Sequence, residues 1–191
     1  MSENAKAKYV DLNGNGYAEK PEYMTQLNSN VLVPKTHPRI MFRGKMDSLL
    51  AKTMEAQIVA VEEGHPEVAR DLEDVARLVS AALMGEVTEA PLEPFNVLGM
   101  DEAELRRVSH NPRKYIGVDH MLPDYTMGKA FCAVNALRAQ TREAELIATG
   151  VFTAEDGAVQ RVDLLQAMNR LSSAVYIIMC RLLAAKRQRE A

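Results

Sequence analysis

Apolar residues recur at helical spacing through four long stretches of the chain, each bounded by breakers. From about Arg39 to Glu62, Ile40, Leu49, Leu50, Met54, Ile58 and Val61 mark an amphipathic helix. Pro34 and Pro38 bracket its start, and a proline is tolerated in a first turn because that N–H is unpaired anyway. Gly64-His65-Pro66 stops it, and a second helix follows over roughly 67–84 with Val68, Leu72, Val75, Leu78, Val79 and Leu83 inward. Residues 85–124 lose the period: Met100 to Leu105 reads as a short helix, while His110-Asn111-Pro112 and Leu122-Pro123-Asp124 are breakers. Two more long helices, roughly 126–150 and 160–187, complete the pattern, the second with Val162, Leu165, Leu171, Val175, Ile178 and Leu182 on its core side. Val31-Leu32-Val33 is a short extended patch, and residues 1–30 read as an irregular lead-in with one candidate hairpin. The pattern predicts an all-α fold: an antiparallel bundle of four to five helices over 31–191, preceded by an irregular N-terminal segment over 1–30.

Two polar stripes break the apolar pattern of the last two helices. Arg138, Arg142 and Glu145 recur at spacings of four and three, and Met168-Asn169-Arg170-Leu171-Ser172-Ser173 interrupts the final apolar run. At ~3.6 residues per turn, each set projects from one side of its helix. Two arginines a turn apart form a cradle for a polyphosphate, because the guanidinium fork pairs bidentately with phosphate oxygens. Polar groups set among apolar ones need partners, which favours an ion-binding pocket between helices. Taken alone, the arginine stripe is better explained by salt bridges along a helix surface.

Composition leaves that picture in place. A chain of 191 residues suits one domain, and 47% hydrophobic with 26% charged residues is ordinary for a globular protein. Aromatics are scarce at 5%, with no Trp and eleven Met, a balance that favours helices over a sheet. A net charge of −3 with both signs interspersed argues against a nucleic-acid partner. The basic run Lys186-Arg187-Gln188-Arg189 complements the negative end of the last helix. Cys132 and Cys180 both lie in apolar helical sequence and read as buried free thiols. Met1 to Lys8 lacks an apolar signal core and no apolar stretch is long enough to span a bilayer, so the expected location is cytoplasmic, or a compartment loaded from the cytosol.

Other motifs carry less. Asp11-Leu12-Asn13-Gly14-Asn15-Gly16, with Glu22 twelfth, matches the pattern of a calcium loop, but residues 1–10 supply no flanking helix and Pro21 blocks the other; a Gly/Asn turn between extended pieces needs no ion. Ser109, His110, Asn111, Tyr115, Asp119 and His120 concentrate polar groups in the irregular region without the spacing of a metal site. They fit a loop lining a cofactor pocket, or ordinary capping and turn chemistry. No glycine-rich phosphate loop and no Gly-x-Ser-x-Gly is present, so a nucleotide here must be held by side chains.

Four segments read together add a resemblance: 20-KPEYMTQL-27, 31-VLVPKTHPRIMFRGKMDSL-49, 109-SHNPRKYIGVDHMLP-123, and 138-RAQTREAEL-146 with 167-AMNRLSS-173. In this order they resemble the ATP:corrinoid adenosyltransferases, most closely the ethanolamine-utilisation cobalamin adenosyltransferases, over roughly residues 20–185. The resemblance implies a helical-bundle enzyme that moves the 5′-deoxyadenosyl group of ATP onto cob(I)alamin and releases the triphosphate, whole or cleaved afterwards. It implies Lys35, Arg138 and Arg142 as phosphate contacts with Mg²⁺ carried on the nucleotide, and Glu145 and Asn169 orienting nucleotide groups or the arginines. It further implies an Asp47–Arg138 pair, possible across a subunit boundary, in a homotrimer or homodimer. His120, with Tyr115 upstream, stands near the place where the propanediol-utilisation branch carries an aromatic side chain that displaces the lower axial base of cobalamin; His120 either shapes that face of the corrin or makes loop hydrogen bonds.

By the same resemblance an electron comes from a reductase or reduced flavin, and the product serves an adenosylcobalamin-dependent lyase of ethanolamine or diol breakdown, inside a bacterial microcompartment in some settings. Two departures stand out. Glu143 occupies the place of a second adjacent arginine of the propanediol branch, and the N-terminal nucleotide loop of that branch is not recognisable. They motivate the rival reading of a non-catalytic corrinoid-binding or delivery protein on the same fold.

Overall fold

A computed structural model describes residues 7–190; residues 1–6 of the lead-in and residue 191 lie outside the described part. Six α-helices follow a four-stranded mixed sheet, so the fold is not all-α as the periodicity predicts. The strands are β1 (Tyr9–Asp11), β2 (Gly16–Tyr17), β3 (Met24–Asn28) and β4 (Val31–Pro34), in the order β2-β1-β4-β3. β1 pairs antiparallel with β2 and parallel with β4, and β3 pairs antiparallel with β4. The segment expected to be irregular is therefore strand over much of its described length. β1 and β2 are very short, and in all four strands only Met24, Leu27, Leu32 and Val33 are buried, too few to leave a period-2 signal beyond the extended patch at Val31-Leu32-Val33.

The calcium-like loop is the β1–β2 hairpin. Asp11 Oδ1 accepts the backbone N–H groups of Asn13 and Asn15, each at 2.9 Å, and Oδ2 accepts from Asn15 Nδ2 at 2.9 Å and the Tyr17 hydroxyl at 3.0 Å. Those donors, the Asn15 side chain foremost, hold the carboxyl below its ordinary pKa. The aspartate organises a turn, as Asx residues do.

The helices are α1 (Pro38–Glu62), α2 (Pro66–Thr88), α3 (Glu102–His110), α4 (Pro112–Ile116), α5 (Lys129–Phe152) and α6 (Val162–Glu190). Pro38 and Pro66 take the first positions of α1 and α2, and the Asp101/Glu104 capping box starts α3. The four long helices pack in a ring, α1 on α2 and α5, and α6 on α5 and α2, with α3 and α4 laid against α6. The core-facing stripe of α1 is Phe42, Met46, Leu49, Thr53, Ala56 and Ala60, whereas Met54, Ile58 and Val61 face outward. In the C-terminal half of α1 the buried positions are the small Ala56 and Ala60, so the larger apolar residues there do not mark the buried face. Phe42 meets Phe152 of α5 edge-on, with centroids 5.5 Å apart. Each large side chain buried in this core contributes about 1.5–3 kcal/mol.

Two arginines of α1 converge on one carboxylate of α2, and one of them also reaches the sheet. Glu86 of α2, fully buried, takes Arg39 Nε on one oxygen and Arg43 Nε on the other. Arg43 Nη2 also donates to the Leu27 carbonyl at 2.7 Å, and Arg39 Nη1 to Glu89 at 2.7 Å. No helix among the described residues is long and apolar enough to cross a membrane.

Candidate active site

A polar cleft of about 470 Å³ opens where α3, α5 and α6 meet. α5 contributes Arg138, Arg142 and Glu145 from one face, as their spacing predicts. α6 contributes Asn169, Arg170, Ser172, Ser173 and Tyr176, and α3 adds Arg106, Ser109 and His110. The packing of α5 on α6 and of α3 on α6 brings these three sets together. A larger groove, about 520 Å³, runs between α2 and residues 90–96, but it is mainly apolar and its Arg77 is already paired with Asp74.

Four guanidinium groups line the polar cleft against the single carboxylate of Glu145. None of the four takes part in an ion pair among the described residues. The salt bridges that would explain the α5 stripe without a ligand are therefore absent there. The Nε atoms of Arg138 and Arg170 are buried and have no acceptor. Orphaned buried donors are uncommon and costly, and a cleft carrying two of them is shaped for an anion. Burial, and then the neighbouring Arg106, hold Arg170 below its ordinary pKa, outweighing the opposing pull of Glu102 and Glu145.

Asn169 has its amide orientation set on both sides. Its Nδ2 donates to Glu145 Oε1 at 2.7 Å and its Oδ1 accepts from Arg170 Nη1 at 2.7 Å. Glu145 thus acts on the cleft through Asn169 and takes no arginine directly. Arg138 rests on the ring of Tyr176, with its guanidinium carbon 5.1 Å from the centroid. The Tyr176 hydroxyl meets His120 Nδ1 at 2.9 Å. Burial, reinforced by the nearby Cys180, pushes that hydroxyl up to about 12. Burial likewise pushes the Cys180 thiol up to about 11, so it is no thiolate nucleophile near neutral pH. Cys132, expected to be buried, is exposed on α5.

The structure gathers Arg138, Arg142, Glu145 and Asn169, and sets His120 beside them through Tyr176. It does not bring Lys35, Asp47 or Tyr115 into the cleft within this chain. Lys35 lies exposed in the turn before α1, its N–H donating to the Tyr23 carbonyl at 3.0 Å. Asp47 is exposed on α1 and makes no pair with Arg138. Tyr115 is on α4, with Lys114 Nζ 5.1 Å from its ring centroid. Glu143, the residue in place of a second arginine, is paired with Lys45 of α1 and lies outside the cleft. Arg106 and Tyr176 were not legible as site residues: the first stands alone on a short amphipathic helix, and the second falls within an apolar run.

Among the described residues no group of three or more His, Cys, Asp or Glu side chains is placed to hold a metal ion. What the site offers is fixed positive charge, oriented amides and hydroxyls, suited to holding a polyanion while another molecule supplies the nucleophile.

Comparison with known proteins agrees with this chemistry. The family model for cobalamin adenosyltransferase matches residues 18–182. The corrinoid adenosyltransferase EutT of Salmonella typhimurium is 36% identical over 161 residues, covering 84% of this chain and 59% of that protein. EutT of Escherichia coli is 36% identical over 162 residues, covering 85% and 59%. The chain thus spans about three-fifths of the length of these relatives. Two structures of variant PduO-type ATP:corrinoid adenosyltransferases from Lactobacillus reuteri, each complexed with cobalamin and ATP, share the fold. Their TM-scores are 0.66 and 0.67 at 16% and 18% identity, covering 87% of this chain and 91% and 89% of theirs. With its family model matched from the third strand almost to the end of the last helix, the chain belongs to the cobalamin adenosyltransferase family.

Proposed function

We propose that this protein transfers the 5′-deoxyadenosyl group of ATP to cob(I)alamin, forming adenosylcobalamin and releasing triphosphate. The observation that carries the reading is the cluster of four arginines without carboxylate partners, two with buried Nε atoms lacking acceptors. The names of the relatives and the ligands of the structural neighbours support it.

In the reaction the Co(I) electron pair attacks the ribose 5′ carbon. A Co–C bond forms, the C5′–O bond breaks, and the triphosphate leaves with the electrons of that bond. Cob(I)alamin is itself the nucleophile, which fits a cleft with no activated Ser, Cys or Lys. Catalysis then rests on alignment and on stabilising charge at the departing oxygen. Arg138 and Arg142, with Arg106 and Arg170, hold the polyphosphate, and Mg²⁺ arrives on the nucleotide. Glu145 and Asn169 fix Arg170 and orient the nucleotide, and His120, with Tyr115 upstream of it in the chain, faces the corrinoid. Lys35 and Asp47 lie outside the cleft and exposed, and act on it from a neighbouring copy of the chain, Asp47 on Arg138. A reductase or reduced flavin supplies the electron, and an adenosylcobalamin-dependent lyase takes the product in the cytoplasm or a microcompartment.

The test is anaerobic single turnover. Cob(I)alamin with ATP and Mg²⁺ is expected to give the alkyl-cobalt spectrum, and much more slowly in Arg138→Ala and Arg142→Ala. Saturable corrinoid binding with no alkyl-cobalt product would replace this reading with that of a non-catalytic binding or delivery protein, the alternative that Glu143 in place of an arginine and the unrecognised nucleotide loop motivate.

A further inference from the structure

Beside the arginine cleft lies a second hollow of about 420 Å³, walled by Pro112, Arg113, Lys114, Asp119 and His120. His110 lines both. Tyr176 lines the arginine cleft and reaches the second hollow through His120, using different parts of its side chain for each. Its ring carries the Arg138 guanidinium at 5.1 Å, and its hydroxyl lies 2.9 Å from His120 Nδ1 on the other side. The His120 and Tyr176 rings are nearly parallel, at 14° with centroids 6.0 Å apart.

The segment that carries His120 is anchored to α6 on either side of it, by Val118 and by Met121. It leaves α4 at Gly117, whose φ of 80° turns the chain away from the helix, and Val118 then packs on Cys180 and Leu183 of α6. Beyond Val118 the segment is irregular and largely exposed, with Leu122 90% exposed. Met121 packs against the same α6 cluster, so His120–Tyr176 is the polar tie of this loop to α6 beside the apolar anchors of Val118 and Met121. The same tyrosine supports an arginine whose Nε has no acceptor.

We propose that Tyr176 is a positioning residue that couples the two hollows. Its ring sets the guanidinium of Arg138, and its hydroxyl takes its own orientation from His120. A molecule that packs against the loop fixes His120, which orders Tyr176 and leaves Arg138 already aimed when phosphate arrives. By reciprocity, a nucleotide in the cleft strengthens binding at the loop to the same degree. The identity of the two ligands, a nucleoside triphosphate and a corrinoid, rests on the function proposed above.

The experiment measures ATP affinity calorimetrically, under anaerobic conditions, with and without saturating cob(II)alamin. Wild-type protein is compared with Tyr176→Phe, His120→Ala and the double variant. The quantity read is the ratio of the two affinities, whatever each variant does to binding of ATP alone. In wild type cob(II)alamin is expected to tighten ATP binding about fivefold or more. Tyr176→Phe keeps the ring and loses the hydroxyl, and it should bring the ratio to about one, as should His120→Ala. The double variant should match the singles, since they interrupt one connection. A wild-type ratio in Tyr176→Phe overturns the proposal, as do two single effects that multiply independently. A wild type that binds both ligands with a ratio of one overturns the coupling and leaves the functional reading standing. A wild type that binds no ATP overturns both.

Discussion

The guanidinium of Arg138 lies over the ring of Tyr176, 5.1 Å from its centroid, while its buried Nε has no acceptor. An arginine held by a carboxylate spends its donors on that partner. One held by an aromatic face keeps them all for a ligand. The cleft is built on this principle, since Asn169 rather than an arginine receives Glu145.

Removing a charge-assisted contact to a departing phosphate costs about 3 kcal/mol in comparable sites. Arg138→Ala and Arg142→Ala should each slow single-turnover adenosylation by about 10²–10³-fold. Glu143→Ala should leave the rate within about twofold, because Glu143 is paired with Lys45 outside the cleft. Rapid-mixing absorbance at the cobalt bands measures all three.

Tyr176→Leu removes the aromatic support of Arg138 and keeps an apolar side chain on α6. A cation–π contact of about 1 kcal/mol corresponds to roughly a fivefold rise in KM for ATP. The rise should be absent from an Arg138→Ala background, since the two residues act as one unit. Equal KM values for Tyr176→Leu and wild type would remove the ring from the account.

Four unpaired guanidiniums should bind inorganic triphosphate without the nucleoside. Triphosphate is expected to compete with ATP, and its affinity should fall several-fold between about 50 and 300 mM salt as screening grows. Binding that ignores salt, or triphosphate that leaves ATP bound, would argue against an anion cleft.

Asp163 at the start of α6 gives a pH-dependent contribution to stability. It accepts from Arg161 Nη2 at 2.8 Å and from the Leu92 backbone N–H at 2.8 Å, and hydrogen bonding from Arg161 above all lowers its pKa from 3.8 to about 2. A carboxyl whose folded pKa is depressed stabilises the fold above its unfolded pKa. That stability, about 2 kcal/mol, is lost as pH falls from about 4 through about 2. Asp163→Asn should therefore lower Tm by about 4–8 °C at pH 7, and the gap should close in that acid window. A gap independent of pH would mean that packing, not the carboxylate, is responsible.

Glu86 is the buried counter-ion of both Arg39 and Arg43. Replacing it strands two partly buried guanidiniums, so Glu86→Ala should destabilise the fold by about 3–5 kcal/mol in denaturant unfolding. Because Arg43 also holds the Leu27 carbonyl, backbone amides of β3 and β4 should lose hydrogen-exchange protection first.

Much of the bundle was legible because helical periodicity survives in long segments. The inward residues of α2 from Val68 to Val79 are buried as their spacing predicts. α1 misled because the C-terminal half of its inner stripe is the small Ala56 and Ala60, while Met54, Ile58 and Val61 point outward. The sheet escaped because β1 and β2 are two or three residues long and β1 pairs in parallel with β4, a long-range contact that leaves no local mark. Arg138, Arg142, Glu145 and Asn169 line one cleft, but their spacing alone pointed at least equally to surface salt bridges, and the family resemblance was what singled them out. Neither Arg106 nor Tyr176 was singled out, since each matters only through the packing of α3 and α5 on α6. Local spacing revealed faces, and only tertiary contact revealed which faces meet.

On the proposed function, the cleft between α3, α5 and α6 holds the triphosphate of ATP. The decisive measurement is a structure with ATP, Mg²⁺ and cob(II)alamin bound. Phosphate oxygens are expected within hydrogen-bond distance of both Arg138 and Arg142, with acceptors for the Nε atoms of Arg138 and Arg170. A nucleotide bound elsewhere, with these four arginines still facing an empty cleft, would contradict it.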